Sequence, residues 1–347
     1  MSDSKDYLNI PPHFQEEKVG EIWTVPYLNR VSDAEKWAED QSIPPSSEDN
    51  SRSVLLIIDP QITFCIPGQE MYVGGQSGSG AVEDNIRLCR FIYQNLSRIT
   101  DIVVTMDTHK ATQIFHPLFL VDERGNHPDP GTLITEDDVS RGKWRVSPAA
   151  ISSGSGRDLD GLQRYLSHYT KALSKGGRYS LIAWPYHAML GGIGHAVVPA
   201  VEEAVFFHGI ARQSSPQYEL KGYHSLTENY SVLQPEVLED ENGNPLTHKN
   251  TELIDKLLSY DRLIIAGQAK SHCVAWTVDD LLTEIKNRDE SLSQKVYLLD
   301  DCSSPVLIPG VLDFSQQAED AYQRFSQSGM HRVLSSNPMT EWPNSPY

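Results

Sequence analysis

Short apolar runs recur along this chain, and most of them close on an acidic residue or a glycine: SVLLIID (53–59), DIVVTMD (101–107), EAVFFHG (203–209), RLIIAG (262–267) and KVYLLDD (295–301). A continuous run of this length suits a strand buried on both faces, where neither side meets water. Between the runs the period changes. Val82, Ile86, Cys89, Ile92 and Leu96 fall at helical spacing, as do Val274, Val278, Leu281 and Ile285. Strands alternating with helices predict an α/β fold, with three α/β/α layers around a mainly parallel sheet.

Outside this pattern the composition shifts. Residues 1–52 carry proline pairs, serine and acidic side chains (SIPPSSEDNSRS) and read as an N-terminal extension. Residues 53–335 hold the domain, and 336–347 form a C-terminal tail. An insertion is expected at about 117–180, where Gly/Ser/Pro-rich stretches (NHPDPGT, SSGSGRD) surround one helical piece, LQRYLSHYTKAL. Residues 234–250 are polar and turn-rich, and GGQSGSG (74–80) lacks the context of a phosphate loop and reads as a connection. The net charge of −18 argues against nucleic acid or an anionic membrane as partner. No apolar run is long enough to span a bilayer, and the N-terminus has no signal-peptide pattern. Four scattered cysteines without a CxxC pair point to a reducing, cytoplasmic setting.

In open parallel sheets, sites form beyond the carboxyl ends of the strands. Asp59, Asp107 and Asp301 end such runs, and Cys273 lies shortly past another. A helix starting near Cys273 would place its thiol at the positive end of the dipole, favouring thiolate, with N–H groups free to hold an oxyanion. The alternative is a small buried hydrophobe. His272 is adjacent, but neighbouring side chains point apart. Asp59 is a candidate base, and Lys221 or Lys270 a candidate cation to pair with it and depress the thiol's pKa.

Three segments carry a resemblance. DPQITFCIPGQEMYVGG (59–75) resembles the opening motif of the nicotinamidases, members of the isochorismatase-like cysteine hydrolase superfamily. LKGYHSLTENYS (220–231) is similar to the family's Lys-Gly segment, and GQAKSHCVAWT (267–277) to its nucleophile segment, Gly-x-x-Thr-Asp-x-Cys-Val-x-x-Thr. Lys270 and Ser271 stand where the family has Thr-Asp, and Ala188 where it usually has Cys. The resemblance implies the isochorismatase-like fold and a triad of Asp59, Lys221 and Cys273, with Lys221 rather than Lys270 as the cation. It implies backbone N–H groups of Ala269 and Cys273 as oxyanion donors, and a cis peptide at Gln268–Ala269. DTH (107–109) and WPYH (184–187) match the family's metal motifs, implying Asp107, His109 and His187 as ligands of a divalent ion. Zinc leads, iron or manganese also suit this donor set, and His116 is either a further ligand or a packing residue. Phe64 and Trp184 match positions that sandwich a pyridine ring.

The implied activity is hydrolysis of nicotinamide to nicotinate and ammonia through a thioester, within NAD metabolism. The alternatives are a related cysteine hydrolase acting on another small amide, carbamoyl or ureido compound, and a non-catalytic binding protein on the same scaffold. The implied partner is a small-molecule amide. Relatives commonly form dimers or larger assemblies, so a homo-oligomer is compatible with the resemblance. His195, His208 and His224 are expected to be ordinary satisfied histidines.

Overall fold

The computed structural model describes residues 7–345, so the first six residues of the 1–52 extension and the last two of the 336–347 tail lie outside it. Six parallel strands form the central sheet: β1 (Ser53–Ile58), β2 (Asp101–Asp107), β3 (Gln217–Lys221), β4 (Arg262–Gly267), β5 (Val296–Leu299) and β6 (His331–Val333). Their spatial order is β6-β5-β4-β1-β2-β3. The chain steps outward from β1 to β3, crosses back to β4, and then steps outward the other way. Every residue of β1, β4 and β5 is buried, which is why these strands read as unbroken apolar runs.

The helices follow from this path. Crossovers between parallel strands are right-handed, so stepping one way puts helices on one face and stepping the other way puts them on the opposite face. On one face lie α2 (Gly80–Gln94) and α4 (Pro199–Ala211), which pack together; α1 (Tyr27–Asp40) lies over α4. The other face carries α5 (Thr251–Leu258), α6 (Ala275–Arg288) and α7 (Ser315–Gln327), with α6 against α7. The result is a three-layer α/β/α fold.

One predicted strand is a helix. EAVFFHG (203–209) lies inside α4, where Glu203, Ala204, Val205, Phe207 and His208 are all buried. A helix covered by the sheet layer on one side and α1 on the other is apolar nearly all round, so its period vanishes. The strand at this point in the order is β3, QYELK, which the apolar-run criterion passed over. It is an edge strand whose residues alternate between half-buried and exposed up to the buried Lys221.

The N-terminal segment contributes Val19, Ala34 and Ile43 to the buried core. Residues 117–180 contain helix α3 (Leu159–Lys175), whose Leu162, Tyr165, Leu166 and Tyr169 are also buried in that core. All four cysteines are free thiols. Among the described residues no helix is long and apolar enough to cross a membrane.

Candidate active site

The strand order reverses between β1 and β4, the place in an open parallel sheet where sites form beyond the carboxyl ends of the strands. Asp59 follows β1 at once, with a positive φ of 46° that turns its side chain back over the sheet. Thr105 on β2 holds it twice: the hydroxyl donates to Asp59 Oδ1 at 2.5 Å and accepts from the Asp59 N–H at 3.1 Å. Lys221, the last residue of β3, reaches across from the sheet edge. Its ammonium lies 2.9 Å from Asp59 Oδ2, 3.1 Å from Asp107 Oδ1 and 3.5 Å from Cys273 Sγ, and donates to the Asn229 carbonyl at 3.0 Å. Three residues far apart in sequence thus meet around one cation.

Cys273 lies close to a helix start, as the sequence expectation has it. The α-helix begins two residues later, at Ala275, and the thiol lies in a π-helical turn, Lys270–Val274. Burial raises its pKa well above the ordinary thiol value; the Lys221 ammonium pulls the other way. Burial likewise lifts the Asp59 carboxyl, against the pull of Lys221. Lys221 is itself fully buried, a cost outweighed by Asp107 and Asp59, which hold it as an ammonium. Cys273 retains 7% of its surface.

The other lysine is elsewhere. Lys270 Nζ pairs with Asp300 Oδ1 at 2.5 Å and stands over the Tyr322 ring. Asp301, predicted at the same rim, is tied instead to Ser335, whose N–H and hydroxyl both donate to its carboxylate at 2.8 Å.

Beside the triad, Asp107, His109 and His187 bring one ligand atom each within 4.8 Å of one another. Their hydrogen bonds suit a cation. His187 Nδ1 meets the Pro185 carbonyl at 2.7 Å and His109 Nδ1 the Gly222 carbonyl at 3.3 Å. A carbonyl only accepts, so both Nδ1 atoms carry the proton and both Nε2 atoms present lone pairs. Those lone pairs face Asp107 Oδ2, at 2.9 Å from His109 and 3.7 Å from His187. Burial keeps His109 in the neutral form. Acceptors converging without a proton between them fit a divalent ion. Gly222 makes the approach feasible: a Cβ there would strike Asp107 Oδ1 and His109. His116 lies 6.1 Å from His109, ring to ring, and packs against Phe115 and Tyr186.

Phe64 lies beside these groups, and Trp184 lies beside His272, the neighbour of Cys273. Phe64 packs edge-on to His187 at 5.6 Å, and the Trp184 indole donates to the Tyr230 hydroxyl at 2.9 Å. Trp184 also meets the His272 ring at 5.6 Å. His195, His208 and His224 each have a partner: Thr108, the Ile99 carbonyl and the Leu226 N–H.

Sequence reasoning assigned nothing to two residues that support the site. The Gln61 amide donates to the Asp107 carbonyl at 2.8 Å and accepts from the Asp107 N–H at 2.7 Å, fixing the strand end that carries the metal-type carboxylate. Its place two residues after Asp59 was the available signal. Glu228 is fully buried, and desolvation with repulsion from Asp107 pushes its pKa to about 8. The peptide at Gln268–Ala269 is cis, where the resemblance places one.

No family model matches the chain, and no curated protein matches it. Among solved structures it is similar to the yeast nicotinamidase bound to the inhibitor nicotinaldehyde, at 16% identity and a TM-score of 0.50, over 81% of this chain and 99% of that one. It is also similar to a nicotinamidase/pyrazinamidase of Acinetobacter baumanii, at 18% identity and a TM-score of 0.47, over 83% and 99%. The likeness to the yeast enzyme establishes the fold. It is the three-layer α/β/α fold of that nicotinamidase.

Proposed function

We propose that the chain is a cysteine amidohydrolase converting nicotinamide to nicotinate and ammonia through a thioester. One observation carries this reading: the Lys221 ammonium lies within 3.5 Å of both the Asp59 carboxylate and the Cys273 sulfur. A buried thiol, a buried carboxylate of raised pKa and a fixed cation are the parts of an activated nucleophile. The substrate class rests on the motif resemblance and on Phe64 and Trp184, with the nicotinaldehyde bound by the yeast enzyme in support.

In this account Asp59 takes the Cys273 thiol proton as the sulfur attacks the carboxamide carbon. Backbone N–H groups of Ala269 and Cys273 hold the resulting oxyanion. The proton passes from Asp59 to the amide nitrogen, the C–N bond breaks, and ammonia leaves. Asp59 next removes a proton from water, which attacks the thioester; nicotinate departs and the sulfur is reprotonated. Lys221 stays charged throughout and keeps Asp59 and the sulfur in register. Asp107, His109 and His187 would hold a divalent ion, zinc before iron or manganese, supplying Lewis acidity and an anchor for a ring nitrogen.

The test is ammonia release from nicotinamide and from a panel of small amides, carbamoyl and ureido compounds, with elemental analysis of the purified protein. Turnover of nicotinamide with a stoichiometric divalent metal supports the proposal. Preference for a ureido compound moves the substrate, and silence on every amide removes the enzyme reading.

A further inference from the structure

The segment carrying Cys273 leaves β4 through extended Ala269 and then the π-helical turn. Much of what fixes it comes from outside. Gly267 N–H donates to the Cys302 carbonyl at 3.1 Å, Gln268 N–H to Ile58 at 2.7 Å, and Lys270 N–H to Ser304 at 2.8 Å. The Tyr179 hydroxyl donates to the Ser271 carbonyl at 2.9 Å, and the Ser271 hydroxyl accepts from Val306 N–H at 3.0 Å.

One tie runs through a buried side chain. Gln268, fully buried, donates from Nε2 to Asp84 Oδ2 at 2.8 Å and accepts at Oε1 from Ser304 N–H at 3.3 Å. Asp84, on α2 and 2% exposed, takes Arg87 Nη2 on its other oxygen at 2.8 Å. A carboxylate accepts and a backbone N–H donates, so the group between them must do both in one orientation, as an amide does.

We propose that Asp84 and Gln268 form a positioning pair for the oxyanion-binding turn, with the Asp84 carboxylate fixing Gln268 and, through it, the adjoining Ala269 N–H. The inference rests on the reading of Cys273 as nucleophile and of Ala269 N–H as an oxyanion donor. Neither residue of the pair touches the reacting atoms. Oxyanion donors act only within a narrow range of position, and Gln268 is joined to that donor by its own peptide bond. The family motif leaves the residue after its glycine unspecified, so this amide is a feature of the present chain.

A polarity swap tests the pair. Gln268→Glu removes the donor and sets two carboxylates together; Gln268→Met removes both hydrogen bonds at similar volume. In the double variant Asp84→Asn/Gln268→Glu, the amide introduced at position 84 donates to the new carboxylate, which still accepts from Ser304 N–H. We expect kcat on nicotinamide to fall about a hundredfold in each single variant, with KM within about threefold, and the double variant to recover at least about tenfold. Amide hydrogen exchange of residues 267–274 should accelerate in both single variants and slow again in the double. Unchanged exchange and kcat in the single variants, or a double variant no better than Gln268→Glu, overturns the proposal. Exchange needs no substrate, so a wild-type protein inactive on amides removes the functional reading while the exchange series still decides the pair. Should Gln268→Glu not fold, Gln268→Met against wild type decides it by the same readouts.

Discussion

The two ends of the central sheet carry similar kinds of charged groups and treat them in opposite ways. At the amino end, Asp101 opens β2. Burial works against its ionisation, but hydrogen bonds from Ser214, Tyr260 and Arg52 hold its carboxyl below the ordinary range. Nearby Arg212, wholly buried, grips both oxygens of Asp49 at 2.6 and 2.5 Å. At the carboxyl end, burial wins at Asp59 and Cys273, and lone pairs of Asp107, His109 and His187 face one another. One end settles its charges; the other gathers a thiol and two carboxylates around one cation. Buried groups pushed from their ordinary pKa in a crevice are candidates for chemistry, whereas saturated pairs hold the fold.

Substitutions at the two ends should therefore separate activity from stability. Cys273→Ala at the carboxyl end should lower amide turnover at least a thousandfold, measured as ammonia release, with the melting temperature held within a few degrees. Arg212→Ala at the amino end should do the reverse. Leaving Asp49 without its guanidinium is expected to cost about 3–5 kcal/mol in denaturant unfolding, with kcat/KM within about twofold of wild type. A large loss of kcat/KM in Arg212→Ala would erase the distinction between the two ends.

A smaller effect concerns a buried carboxyl beyond the triad. Desolvation pushes Glu236 to about 7, against the pull of Arg178. The folded state then binds a proton that the unfolded chain releases near its ordinary value, so this group lowers stability as pH rises from about 4.5 to 7. Glu236→Gln should remove that decline, on the order of 3 kcal/mol across the interval, measured by denaturant unfolding at pH 5 and 7.5. The smallest effect is expected at Lys270, which serves Asp300 and not the site. Lys270→Ala should leave turnover within about threefold and cost about 1 kcal/mol of stability. A drop in turnover like that of Cys273→Ala would make Lys270 the working cation.

What the sequence disclosed follows from how each feature is encoded. β1, β2, β4 and β5 were legible because burial on both faces leaves an uninterrupted apolar run. The same criterion misread α4, whose outer face is covered by α1, and passed over β3, whose edge position leaves Tyr218 and Leu220 exposed. The convergence of Asp59, Lys221 and Cys273, and of Asp107, His109 and His187, was legible through local motifs, and all but His187 lie at a sheet-strand end or in the turn that follows one. The burial of Cys273 was not, because it depends on how much of the fold covers the sulfur. The grip of Asp84 on Gln268 spans 184 positions, a separation at which no spacing in the sequence signals contact.

The central claim is that the sulfur of residue 273 becomes covalently acylated. Protein quenched in acid during nicotinamide turnover and read by intact and peptide mass spectrometry tests it most directly. The account predicts one nicotinoyl group on the peptide bearing Cys273 in the wild type and none in Cys273→Ala, which is also inactive. Full ammonia release by Cys273→Ala, or an acyl group on another residue, would contradict it.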